Sequence, residues 1–191
     1  MEAAPADVTL RLAMLLHDIG KPSCKSIDGH GIDHFYVHPT VSTQLADQML
    51  RTLKFDNRTR ERVVLLVEHH DVQLLPRGHV IRKWLNRLGP EAFFQLLEVK
   101  RADSMGQAPD KVRDRLAEFD EIRTKAEQIL VERQCLTLRD LAVDGRDVIA
   151  AGIEPGPKIG QVLEGLLERV LDSEAPNRRD VLLKLIKQFK N

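Results

Sequence analysis

Thiols are almost absent from this 191-residue chain. Its two cysteines, Cys24 and Cys135, have neither metal-ligand nor redox-pair spacing. That favours reduced thiols in a cytoplasmic protein. Aromatic residues make up only 4% of the chain, so its core must be built from Leu, Val and Ile, which suits helix packed on helix. No apolar run approaches the roughly 18–20 residues of a membrane span. Met1-Glu2-Ala3-Ala4-Pro5 also lacks the basic-then-apolar order of a signal peptide. Charge of one sign is missing too: Lys+Arg and Asp+Glu both number 29, and the balance holds on either side of residue 108. There is no global basic field to gather nucleic acid, so any RNA contact must come from a local patch. Alternating strand patterns of useful length are lacking as well. The fold class that remains is all-α.

Helical signals fill the space. Leu12, Leu15, Leu16 and Ile19 recur at the spacing of a buried stripe, and Gly20 and Pro22 then stop that helix. A Gly- and Asp-bearing loop follows from Ser23 to Phe35. His38-Pro39 opens a second helix with Val41, Leu45 and Met49 on its apolar side. The third spans Asn57 to His70, capped by Asp56 or Asn57, with Val63, Leu66, Val67 and His70 on one face. A fourth runs from Arg77 to Leu88, and a fifth from Glu91 to about Met105 with Ala92, Leu96, Val99 and Asp103 on one side. Pro109 starts a long charged helix to about Arg133. Short helices follow between Thr137 and Ala151, then one from Gly156-Pro157 to about Leu171 and a last one capped by Asn177. A break at Gly106-Gln107-Ala108-Pro109 divides the chain into residues 1–108 and a smaller helical region, 109–191.

Against this background, Leu15-Leu16-His17-Asp18-Ile19-Gly20-Lys21-Pro22 puts an imidazole and a carboxylate side by side on a buried turn. A buried carboxylate needs a cation, and a neutral imidazole offers a lone pair to the same one. His38, His69, His70 and Asp103 lie on or beside apolar faces of other helices, which is how a bundle assembles a metal site. Each has an ordinary alternative alone: a helix-end pair at His69-His70, a pre-proline loop residue at His38, a surface aspartate at Asp103. Together with His17-Asp18 they favour metal. Imidazoles and carboxylates without thiolate suit Zn²⁺, Mn²⁺, Fe²⁺, Co²⁺, Ni²⁺ or Mg²⁺. The set exceeds one tetrahedral site and permits two ions about 3.5–4 Å apart, with Asp18 as the bridge. Lys21 is placed to meet an anionic substrate; the alternative is a lysine offsetting a helix dipole. His30, His34 and His79 read as loop or surface residues.

These residues resemble the HD superfamily of metal-dependent phosphohydrolases. More closely, Leu10-Arg11-Leu12-Ala13, His17 to Pro22, Gly31 to Ser42, Leu65 to His70 and Lys100 to Gln107 resemble the HD region of bacterial CCA-adding tRNA nucleotidyltransferases. Asp140 to Asp147, Gly152, Gly156 to Gly160 and Pro176-Asn177 are similar to that family's C-terminal helical region. The resemblance implies an HD domain at residues 1–108 and a body-and-tail-like region at 109–191. The family's nucleotide-binding head has no counterpart here, so the chain is not expected to add nucleotides by itself. HD proteins usually carry a further ligand histidine upstream, and residues 1–16 contain none, as expected of a C-terminal fragment.

Two functions follow. In the first, His17, Asp18 and Asp103 hold one ion, and His38, His69 and His70 a second. Asp18 and Lys21 then serve hydrolysis of a nucleotide or RNA-terminal phosphate, with phosphatase or phosphodiesterase activity. The substrate class comes from the resemblance; the residues alone indicate metal-assisted hydrolysis. In the second, the chain is a non-catalytic tRNA-binding body and tail. Arg178, Arg179 and Lys184 would then face RNA, and the helix start at Gly156-Pro157 would offer amides to phosphate. A solvated amphipathic helix and a plain turn are the alternatives there.

Overall fold

The computed structural model describes residues 6–106 and 109–190, and its fold is all-α. In order come α1 (Val8–Leu16), α2 (Lys21–Cys24), β1 (Ser26–Ile27), β2 (Asp33–His34), α3 (His38–Thr52), α4 (Asn57–His69), α5 (Gly78–Met105) and α6 (Pro109–Val131). A 3-10 turn at Leu138–Asp140 precedes α7 (Gly145–Ala150), α8 (Pro157–Leu171) and α9 (Arg179–Ile186). Among the described residues no helix is long and apolar enough to cross a membrane.

The chain groups into two compact units that interleave. Unit 1 joins Met1–Gln73 to Pro90–Asp120; unit 2 joins Leu74–Gly89 to Glu121–Asn191. The sequence suggested one cut between 108 and 109; Gln107 and Ala108 lie outside the described residues. Both of the expected helices on either side of Gly89-Pro90 exist, as the two parts of α5, which leaves helical geometry at Gly89 (φ 75°, ψ 160°). That left-handed φ is one glycine adopts without a Cβ clash.

In unit 1, α4 packs on both α1 and α3, and α2 packs on α3. Val63, Leu66 and Val67 of α4 are buried on the expected face, and so are Ala92, Leu96 and Val99 of α5. Two faces differ from expectation. In α1 the buried residues are Leu10, Ala13 and Leu16, while Leu15 is exposed. In α3 they are His38, Ser42, Ala46 and Leu50, one position along from Val41, Leu45 and Met49. Small residues, Ala13, Ser42 and Ala46, occupy these contacts because they let backbones approach; a count of large apolar side chains misses such positions. Pro22 also differs: it sits in the first turn of short α2, a place that suits proline. The two-residue antiparallel pair β1–β2, inside the expected loop, is too short to leave a sequence pattern.

Unit 2 has its own core, including Val143, Val148, Ile153, Val162, Leu166, Leu182 and Ile186. Its last helix is not capped by Asn177. Arg178 holds that position, without a side-chain cap bond. Asn177 instead accepts from the Ala142 amide (2.8 Å) and donates to the Asp140 carbonyl (2.7 Å), tying the approach to α9 to the 140–142 loop.

Candidate metal centre

Gly20 explains why His17-Asp18 meets the second histidine. After α1 the chain turns, and the Gly20 amide donates to the buried Ser42 Oγ on α3 (2.9 Å). A Cβ on Gly20 would lie 2.6 Å from the Ser42 nitrogen and 2.9 Å from the His38 carbonyl oxygen. The missing side chain therefore lets the first turn of α3, with His38, close on Asp18. The C-terminal end of α4 brings His70, and the last turn of α5 brings Asp103.

Asp18 lies at the centre. Its Oδ2 is 3.2 Å from His17 Nε2, and its Oδ1 is 3.4 Å from His38 Nε2 and 3.7 Å from His70 Nε2. His17 Nε2 is in turn 3.3 Å from Asp103 Oδ1. One ligand atom each of Asp18, His38 and His70 falls within 4.8 Å of the others.

The imidazoles are oriented alike. Nδ1 of His17, His38 and His70 bonds the carbonyls of Met14 (2.9 Å), Phe35 (2.7 Å) and Val67 (2.7 Å). A carbonyl only accepts, so each Nδ1 carries a proton, and each ring in its neutral form turns an Nε2 lone pair inward. His38 and His70 then aim lone pairs at one another across 3.0 Å. Such a pair repels unless a proton or a cation lies between. Burial, the largest influence, pushes the His70 pKa down and so disfavours the proton. Two further buried atoms, His17 Nε2 and Asp18 Oδ1, have no hydrogen-bond partner, at a cost a coordinated cation would remove. The donor set and its unpaired atoms fit a divalent ion.

Two cations flank the cluster. Lys21 Nζ is 2.7 Å from Asp18 Oδ2 and 5.9 Å from the centre of the Phe35 ring. Lys100 Nζ donates to the His70 carbonyl (2.8 Å), and burial lowers its pKa. Lys100 lies within the stretch 100–107 that carries the resemblance, but nothing in its spacing marked it as a site residue. His17, Asp18, His38, His70, Asp103 and Lys21 are thus brought together. His69 is buried but is not in the converging group; it precedes His70 by one residue, a turn of about 100° around the helix.

In unit 2, the residues expected to face RNA are largely engaged. Arg178 pairs with Asp180 (2.9 Å), and Arg179 makes a two-pronged bond to Asp147. Lys184 is exposed in the last turn of α9. Pro157 does start α8, after Gly156.

Fold and site together define an all-α protein with a half-buried His–Asp cluster of metal-ligand type. The chain belongs to the tRNA nucleotidyltransferase domain 2 family, whose pattern matches residues 34–186. It is 32% identical over 172 residues to an A-adding tRNA nucleotidyltransferase of Deinococcus radiodurans, covering 85% of this chain and 38% of that protein. It is also 30% identical over 170 residues to a CC-adding tRNA nucleotidyltransferase of Thermus thermophilus, covering 85% of this chain and 36% of the relative. A 47-residue stretch, 25% of this chain and 12% of its relative, is 40% identical to a CCA-adding enzyme of Levilactobacillus brevis. The chain therefore spans less than two fifths of these relatives. No solved structure matches it.

Proposed function

We propose that unit 1 is an HD-type, metal-dependent phosphohydrolase module acting on nucleotide or RNA-terminal phosphates, within a tRNA nucleotidyltransferase-related chain. The observation that carries this reading is the set of inward Nε2 lone pairs around Asp18, two of whose members, His17 Nε2 and Asp18 Oδ1, have no partner. His17, Asp18 and Asp103 would hold one ion, and His38 and His70 beside Asp18 a second. His69 would join the second set only by turning its ring toward it. A bound divalent ion supplies Lewis acidity toward phosphoryl oxygens and acidifies water. Asp18 orients the attacking water, and Lys21 exchanges its bond to Asp18 for a phosphate oxygen. Water oxygen bonds to phosphorus, the ester P–O bond breaks, and the proton released by the water passes to the leaving oxygen.

Metal analysis after dialysis against Mn²⁺, Ni²⁺ or Zn²⁺ tests it, together with metal-dependent hydrolysis of a phosphomonoester and a 2′,3′-cyclic phosphate. Wild type should bind metal, and Asp18→Ala should lose both metal and turnover while keeping its helical circular dichroism. Wild type without metal, or a rate unchanged in Asp18→Ala, would refute the site.

A second reading draws on the comparisons: relatives named for tRNA substrates match 85% of the chain, so unit 2 would serve as a tRNA-binding body. It is compatible with the first.

A further inference from the structure

The hairpin before α3 ends in a pair of stacked rings. His34 and Tyr36 have ring centroids 4.9 Å apart and planes within 8° of parallel. His34 is held from behind: its Nε2 donates to Asp28 Oδ2 (2.9 Å), while Asp28 Oδ1 accepts from the amides of His30 (2.8 Å) and Ile32 (3.0 Å). The β1–β2 pairing, Ser26 with His34 and Ile27 with Asp33, fixes the strand that carries it. Tyr36 is 78% exposed, so the face of its ring away from His34 is open to solvent.

This pair is anchored to the metal centre through its neighbour. The Phe35 carbonyl accepts from His38 Nδ1, and the Phe35 ring lies under Lys21 Nζ. Tyr36 is two residues from His38, so their Cα atoms are within about 7.6 Å. A nucleoside monophosphate covers a comparable reach between base and phosphate. Aromatic faces accept any base by stacking, without hydrogen-bond readout.

We infer that Tyr36, backed by His34, is the stacking platform for the base of a nucleoside phosphate whose phosphate sits at the Asp18 cluster. This inference rests on the hydrolase reading and deepens it. The substrate is a nucleotide, or the last nucleotide of an RNA, and the site favours it over a sugar phosphate without a base. Because stacking is sequence-tolerant, the four bases differ little.

The test uses the full chain loaded with Mn²⁺ and compares adenosine 5′-monophosphate with ribose 5-phosphate. In Tyr36→Ala the ratio of their kcat/KM values should fall about tenfold, through KM for the nucleotide. Tyr36→Phe should retain the ratio, and His34→Ala should lose part of it. An unchanged ratio in Tyr36→Ala, or an equal loss in Tyr36→Phe, overturns the platform. Turnover by wild type of neither substrate nor of a 2′,3′-cyclic phosphate refutes the hydrolase reading, while the platform is still read by NMR. Tyr36 is the only tyrosine of the chain. Its ring resonances and those of His34 should then shift with adenosine 5′-monophosphate and not with ribose 5-phosphate. Absence of that shift overturns the platform on its own.

Discussion

Gly20 has no room for a methyl group. Its φ of −81° is open to any residue, so the demand is steric and comes from the α3 backbone. Gly20→Ala should destabilise unit 1 by roughly 1–3 kcal/mol and weaken metal binding by pushing His38 from Asp18. Gly29→Ala, where a methyl would meet nothing within 4 Å, is the control. Equal urea midpoints for the two variants would refute the argument.

Burial disfavours charge on His17, yet the nearby Asp103 carboxylate, the Met14 carbonyl and the charge of Asp18 outweigh that and raise its pKa. A raised folded-state pKa stabilises below the unfolded value and loses that contribution as pH rises through the folded one. Metal-free protein should thus lose some stability above about pH 6.5. Metal needs the deprotonated ring, so its affinity should climb over the same window, with a midpoint above the ordinary histidine value. Calorimetric titration across pH checks this; a midpoint below that value contradicts it. His17, Asp18, His38, His70 and Asp103 stood out in the sequence because apolar helix faces rarely carry so many metal-ligand residue types. Gly20's true role, Lys100 and the Tyr36–His34 stack did not, since each depends on what another segment brings near.

Among the elements, four helices end in the same motif. Lys54, Arg133, Ser173 and Gly152 have positive φ values of 59°, 48°, 63° and 92°. In each case the next amide reaches back five residues, as from Phe55 to the Leu50 carbonyl (3.0 Å) and from Ile153 to the Val148 carbonyl (3.3 Å). Only α7 ends this way on glycine. Lys54→Gly should relieve the left-handed strain at α3 and stabilise unit 1 by about 0.5–1 kcal/mol. The urea midpoint should rise at constant slope, and a fall would show that Lys54 contributes contacts worth more than the strain. Ser173→Gly should gain less, because Ser173 Oγ also accepts from Arg82. Helix positions were largely readable from caps and proline, as at Asp56, whose side chain accepts from the Thr59 amide (3.0 Å). Helix faces were less so: α1 and α3 offer several apolar stripes, and only packing chooses between them.

For the whole molecule, charge neutrality meets a chain whose candidate RNA contacts are mostly spent internally. Arg179 pairs with Asp147 and Arg178 with Asp180, so Lys184 is the member of the expected set outside those two pairs, although all three residues are exposed. If unit 2 holds tRNA, few phosphates are neutralised. The slope of log K against log salt should then be shallow, near −0.7 to −0.9 per contact. Lys184→Ala should reduce it by about one contact without altering metal content; filter binding at two salt concentrations measures this, and an unchanged slope removes Lys184 from the interface. The all-helical class followed from composition and spacing, whereas the interleaving of the two units did not. It arises from pairings such as Arg82 with the Leu171 carbonyl, 89 residues apart, which no local pattern encodes.

That interleaving sets an order on biosynthesis. A chain leaving the ribosome cannot close unit 1 until Asp120 has emerged, because Pro90–Asp120 completes it. Residues 74–89, with apolar Ile81 and Leu85, emerge long before Glu121–Asn191 can cover them. Loop closure over such a separation is slow, and apolar segments left waiting invite aggregation. Unit 2 should therefore complete its fold after unit 1, with residues 74–89 as apolar surface that waits uncovered in the interval.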